Sequence, residues 1–272
     1  MKKKCNTMIY GIILILSLFI IIFLIKHSYN SYESFDNNNN NNNNKNNNTN
    51  NTNKNLIDRN IFCFWTGDNM MSSNRLESLE NLKKISECNV ILVTKKDINK
   101  YILKEEPLHP AFQYLSETHK ADYLRTYFMH FHGGGYSDIK KTTGSWRQAF
   151  DNLLKSDDIW MVGYKEVNGG VAYQPLAKEW EKLIGNGAYI CKPQTPLTRE
   201  WYIEMIRLLD SKLELLRKNP AKNPQDSADN KSGSNYPIEW NEMLGRIFHR
   251  VSYKYKEKLS QELPISIFKD YR

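Results

Sequence analysis

Cysteine is scarce in this sequence, with four in 272 residues and none in a C-x-x-C pair. That scarcity gives no support to a zinc site. Cys63, Cys88 and Cys191 fall in the C-terminal part, and an odd number there leaves at least one thiol free or bridged between molecules. Walker-type phosphate loops, nucleophilic triads and metal-ligand clusters are also missing. So are internal repeats and any dense basic stripe. Beyond residue 60 the chain holds 31 Lys and Arg against 27 Asp and Glu, a net of +4, which is weak ground for nucleic-acid binding. The expected partners therefore include no nucleic acid. A mildly basic pocket for a phosphate-bearing ligand is compatible with this balance.

Long apolar runs are limited to one. Lys2, Lys3 and Lys4 precede Met8 to Ile25, an uncharged stretch of 18 residues whose one clearly polar member is Ser17. At about 1.5 Å per residue this is just enough to cross a hydrocarbon core of roughly 30 Å. No small-residue cleavage pattern follows it, so an uncleaved anchor is favoured over a signal peptide. A buried core helix would find nothing but lipid to cover its apolar surface. With three Lys before the span, and Glu33 and Asp36 soon after it, the positive-inside rule keeps the N-terminus cytoplasmic. The expectation is a single-pass type II membrane protein whose globular part is lumenal (Golgi or ER) or extracytoplasmic.

Asn fills 15 of the 19 positions from Asn37 to Asn55. Such a segment has almost no apolar surface to bury and is expected to act as a disordered tether. Codon slippage in an A/T-rich genome explains the run equally well. Sequons begin at Asn47, Asn50 and Asn230. The domain boundaries read from these shifts are 1–7 for a tail, 8–25 for the anchor, 26–56 for the stalk and 57–272 for one globular domain.

Within that domain, Asn60 to Trp65 reads as a buried strand, Asn74 to Ile85 as a helix with Leu76, Leu79, Leu82 and Ile85 at helical spacing, and Asn89 to Thr94 as a second buried strand. A strand, a helix and a strand in so few residues predict a βαβ unit with a parallel sheet. A helix is predicted from Ser116 to His132 and is stopped by Gly133-Gly134-Gly135. Tyr136 to Lys140, Ile159 to Tyr164 and Gly187 to Cys191 read as further strands. Thr195-Pro196 opens a long amphipathic helix to about Arg217, with a good cap and a favourable first turn. Lys218 to Asn235 reads as a surface loop.

The stretch richest in chemistry is His119-Lys120-Ala121-Asp122-Tyr123-Leu124-Arg125, followed by a helix, the three glycines, and Tyr136-Ser137-Asp138-Ile139-Lys140. Asp122 and Arg125 share a helix face because they are three apart. Taken alone, that pair reads as a surface ion pair worth a few tenths of a kcal/mol. His130 and His132 are two apart, diverge on a helix, and read as structural. Combined, A-D-Y-L-R, a helix, G-G-G-Y and an aspartate resemble the DXD region of glycosyltransferases with a GT-A fold. The resemblance is to the family with a sugar-binding DXD region, which includes yeast-type mannosyltransferases and clostridial glucosylating toxins, and to the related capsular-polysaccharide-synthesis group. It extends more loosely to Trp65-Thr66-Gly67 and to Asn186 through Pro193.

The resemblance implies an α/β fold, a GT-A-like Rossmann-type mixed sheet flanked by helices, preceded by one transmembrane helix. It implies a nucleotide-sugar-binding set of Trp65, Thr66, Asp122, Arg125, Tyr136, Asp138 and Asn186. In that set Trp65 stacks on the base, Asp122 and Arg125 hold the donor sugar, and Asp138 matches the first DXD aspartate. The second aspartate is replaced by Lys140, so Asp138 and Lys140 are the catalytic candidates. No metal ligand set is expected. Mn²⁺ or Mg²⁺ enters only if Asp138 and the donor diphosphate hold it. A positioned ammonium, from Lys140 or Lys141, can supply part of the charge that a divalent ion gives to a leaving diphosphate. The expected activity is a membrane-anchored glycosyltransferase, with hexose as the expected sugar, taking a nucleotide-sugar donor and a glycan, protein or lipid acceptor. The alternatives are a catalytically inactive nucleotide-sugar- or carbohydrate-binding protein and, third, a tethered adhesion module. The catalytic base stays open, with Glu239 and Glu242 among the acids considered. As a residue that binds ligand, Asp138 is expected to accept Asn with little change in melting temperature.

Overall fold

A computed structural model describes residues 59–230 and 234–271. The tail, anchor and stalk assignments, and the sequons at Asn47 and Asn50, lie outside the described residues. Among the described residues no helix is long and apolar enough to cross a membrane.

Side-chain alternation in one strand organises the molecule. In β1 (Asn60–Trp65), Ile61 and Cys63 point to one face of the sheet, and Phe62 and Phe64 point to the other. All four are buried, as expected of an inner strand with neighbours on both sides. The sheet has six strands in the order β2-β1-β3-β5-β4-β6. The others are β2 (Asn89–Thr94), β3 (Gly134–Ser137), β4 (Met161–Lys165), β5 (Ile184–Cys191) and β6 (Leu259–Ser260). β1 pairs in parallel with both β2 and β3. β5 runs antiparallel between β3 and β4, and β6 adds in parallel to β4. The sheet is mixed, and the predicted βαβ unit is present at its β2 edge.

Helices cover both faces. α1 (Ser73–Ile85) and α3 (Arg147–Lys155) pack Leu79, Leu82, Phe150 and Leu153 against Ile61, Cys63, Ala188 and Ile190. On the other face, α2 (Glu117–Phe131), α4 (Pro196–Lys218) and α5 (Gly245–Lys254) bury Phe128, Trp201 and Phe248 against Phe62, Phe64 and Tyr189. Each fully buried aromatic of this kind stabilises the fold by roughly 1.5–3 kcal/mol. Caps agree with the sequence: Ser72, Ser116 and Thr195 each accept a backbone N–H of the first turn they precede.

Several expectations need correction. Leu76 is 51% exposed, so the buried stripe of α1 is carried by Leu79 and Leu82 with Ser78. β3 begins within the glycines and ends before Asp138, instead of running from Tyr136 to Lys140. Gly133 and Gly134 both have positive φ, which turns the chain straight from the end of α2 into the strand. α2 is buried almost all round, because it lies between the sheet and α4. β5 starts three residues earlier than read. α3, α5 and β6 were not anticipated. His130 meets Thr198 and His132 meets the carbonyl of Tyr101, both structural contacts. Cys63, Cys88 and Cys191 are all free thiols.

Candidate functional site

A cleft of about 380 Å³ opens where the parallel strands β1 and β3 end, the position at which open α/β sheets commonly receive ligands. Trp65, Thr66 and Gly67 leave β1 into it, and Asp138 to Lys140 leave β3 into it. Thr118, Ala121, Asp122 and Arg125 of α2 also line it. Their 3–4 residue spacing puts them on one stripe of that helix. Asn186 enters from β5, and Trp240, Asn241, Leu244 and Gly245 enter from the segment that starts α5. All eight residues singled out from sequence, Trp65, Thr66, Asp122, Arg125, Tyr136, Asp138, Lys140 and Asn186, line this one cleft.

Arg125 is its hub. One Nη atom lies 3.0 Å from Oδ1 of Asp122 and 3.3 Å from Oδ1 of Asp138. The other Nη donates to the carbonyl of Asn186 at 3.0 Å. The guanidinium sits 4.2 Å above the ring of Tyr136, in cation–π contact. Tyr136 donates its hydroxyl to Oδ1 of Asp138 at 2.5 Å. Lys140 donates to Oδ2 of Asp138 at 2.7 Å. The Asp122 and Arg125 side chains are only 5% and 8% exposed. They are therefore not a surface ion pair: loss of Arg125 leaves the Asp122 carboxyl buried without its partner, whereas loss of Asp122 leaves Arg125 still facing Asp138.

The two carboxylates differ in proton affinity. Burial raises the Asp122 carboxyl to about 7, against the pull of Arg125, and the charge on Asp138 adds to the rise. Burial also acts to raise Asp138, but Lys140 and Arg125, with hydrogen bonds from Lys140 and Tyr136, outweigh it and hold this carboxyl well below the usual range. Two acids on one guanidinium are thus shifted in opposite directions from an ordinary carboxyl.

Trp65 donates its indole N–H to the carbonyl of Asn69 at 2.8 Å, which fixes the ring at the cleft edge. Thr66 donates to Glu117, whose other oxygen meets Lys120 at 2.8 Å. Glu239 and Glu242 do not line the cleft; they pair with Arg246 and Lys212. The sequence reading missed Arg75, Asn69, Glu117 and Tyr271 as lining residues. Trp240 and Asn241 had no place in that reading, since only the start of α5 brings them to the cleft.

The divalent ion associated with a DXD motif does not fit this donor set. Oδ2 of Asp138 already carries the Lys140 ammonium, and Oδ1 accepts from Tyr136 beside Arg125. A divalent ion bound there would face a buried like charge. Among the described residues no group of three or more His, Cys, Asp and Glu is placed to hold a metal.

A family described as capsular polysaccharide synthesis protein matches residues 19–174, more than half of the chain. The match contains β1 through β4 and seven of the eight residues above, stopping short of Asn186. No curated protein sequence matches. Among solved structures, the PaToxG glycosyltransferase aligns with a TM-score of 0.42 and 14% identity, over 73% of this chain and 69% of that one.

Proposed function

The chain belongs to the capsular polysaccharide synthesis protein family, and on that premise we propose that it transfers a sugar, expected to be a hexose, from a nucleotide-activated donor to a glycan, glycoprotein or glycolipid acceptor. The observation that carries this reading is the ion network of Arg125, Asp122, Asp138 and Lys140, gathered with Trp65 in one cleft at the strand ends. Polysaccharide synthesis requires glycosidic bonds, and the cations, carboxylates and indole of this cleft are group types that such a transfer would use.

In the proposed mechanism Trp65 stacks on the base of the donor. Asp122 and Arg125 hold the sugar hydroxyls, with Asp122 able to accept or donate near neutral pH. The bond from the anomeric carbon to the diphosphate breaks with its electron pair on the phosphate oxygen, and the acceptor oxygen bonds to the anomeric carbon as its proton passes to water. Charge therefore develops on the diphosphate, where Lys140 supplies a fixed positive charge in a largely water-excluded position. Asp138 and Tyr136 position that ammonium. The proposal keeps the anchor at 8–25, the stalk at 26–56 and a lumenal or extracytoplasmic domain.

One observation favours a second reading. Both oxygens of Asp138 are engaged by the protein's own groups, which suits a site that binds a nucleotide sugar without turning it over. Donor turnover separates the two. The full-length chain, purified in detergent, is screened against a panel of nucleotide sugars for thermal shift and slow donor hydrolysis. Stabilisation with hydrolysis supports transfer, stabilisation without hydrolysis supports the binding protein, and neither response removes both.

A further inference from the structure

The mouth of the cleft holds a second cation beside Lys140. Arg75 lies in the first turn of α1 and donates Nη1 to the carbonyl of Ile139 at 3.0 Å. Ile139 is the residue between Asp138 and Lys140, so the arginine is carried to the same corner as the lysine. The guanidinium carbon of Arg75 lies 4.8 Å from the centroid of the Tyr271 ring, and Nζ of Lys140 lies 4.8 Å from the same centroid. Nζ is also 4.4 Å from the ring of Phe268. An aromatic face draws cations together without neutralising them. Arg75, Lys140 and Tyr271 all line the cleft.

The charges at this corner are unequal. Lys140 spends one of its three N–H donors on Asp138. Arg75 makes no salt bridge to a carboxylate among the described residues. Three acids near this corner are engaged elsewhere: Glu77 with Lys141, Asp68 with Lys95, and Glu117 with Lys120. The first turn of α1 contains no acid to offset the positive end of the helix.

We infer that Arg75 and Lys140, bridged by the ring of Tyr271, form a subsite for the diphosphate of the donor. The inference rests on the nucleotide-sugar reading above and gives its phosphate-binding half. Arg75 presents a planar fork of donors suited to two phosphate oxygens, and Lys140 a point charge for the oxygen that leaves. The C-terminal segment is tied down as far as Ile267 by backbone bonds from Thr143 to Ile265 and from Ile267 to Lys141, and four residues further on the Tyr271 ring lies against both cations.

The test uses the full-length chain in detergent with EDTA present, and inorganic pyrophosphate as the probe. Calorimetric titration should show pyrophosphate binding to the unmodified chain. Affinity should fall at least tenfold in Arg75→Gln and in Lys140→Met, and less in Arg75→Lys, which keeps the charge but not the fork. Trp65→Ala should leave pyrophosphate affinity unchanged while weakening a nucleoside diphosphate. Circular dichroism melts show whether each variant is folded, and Arg75→Lys provides a folded comparison if Arg75→Gln is not. Absence of pyrophosphate binding in the unmodified chain, or undiminished binding in folded Arg75→Gln, overturns the subsite. Pyrophosphate binding in this pattern with no nucleotide sugar bound or hydrolysed leaves the subsite standing and removes the transfer reading. Sugar-nucleotide turnover with Arg75→Gln still binding pyrophosphate fully does the reverse.

Discussion

Lys140 Nζ lies 2.7 Å from Oδ2 of Asp138, two residues before it in the chain, and the lysine side chain is only 8% exposed. No other carboxylate pairs with this ammonium among the described residues. The two side chains are therefore coupled in stability as well as in chemistry. Neutralising Asp138 is therefore expected to carry a structural cost, against the near-unchanged melting temperature read from the sequence.

Asp138→Asn should lower stability by about 2–3 kcal/mol, below the usual figure for a buried pair because Asp138 remains 24% exposed. It should also abolish donor turnover. Adding Lys140→Met should recover most of the stability by removing the stranded ammonium, while turnover stays lost. Urea melts of the two variants check this; a double variant no more stable than Asp138→Asn would contradict the coupling.

Turnover should survive EDTA. Lys140 occupies the side of Asp138 from which a divalent ion would be held, and like charges that close repel by about a kcal/mol even in water and by more at lower dielectric. Lys140→Ala should lose most of the activity. The plain counter-result is turnover abolished by EDTA and restored by Mn²⁺ in the unmodified protein. Lys140→Asp, which restores the second carboxylate, is the variant in which metal dependence should arise.

Asp122 sets a pH slope on stability. Its folded pKa is raised to about 7, from an ordinary value near 4. Between those values the native state binds the proton that the unfolded chain has lost. Stability should therefore fall as pH rises from about 4 to about 7, with a contribution up to about 1.4 kcal/mol per pH unit, and level off above. Asp138, with its depressed pKa, acts in the opposite sense and only below pH 4. Denaturant melts across pH 4–8 should show a shallower fall in Asp122→Asn than in the unmodified chain. Parallel curves would remove the assignment.

The orientation of the proposed anchor is checked by proteolysis. Protease added outside intact vesicles should spare the globular domain and cut the short tail. Digestion of the domain under those conditions would reverse the topology.

Much of this site was legible because its residues sit at elements with strong periodicity. The continuous apolar run of β1 ends at Trp65, and the spacing of Asp122 and Arg125 fits one stripe of α2, so both ends of the constellation could be placed. β3 was displaced because Gly134 and Gly135 read as loop. They belong to the strand, where a side chain on Gly135 would meet Ile61 and Phe150 at 3.2 and 3.3 Å. α3 and α5 lack a side-chain cap at Trp146 and Leu244, so neither helix announced its start. Arg75 lies in an ordinary amphipathic pattern, and nothing local marks it. Its role depends on Ile139 and Tyr271, which only the fold brings near.

The cleft is lined from Phe64 to Tyr271, almost the whole length of the described chain. Contacts between residues so far apart are among the slow and late ones in folding. A chain whose C-terminal segment is not in place has no ring over Arg75 and Lys140, and so has an incomplete binding surface. Any ligand of this cleft therefore selects fully folded molecules and adds its binding energy to their stability.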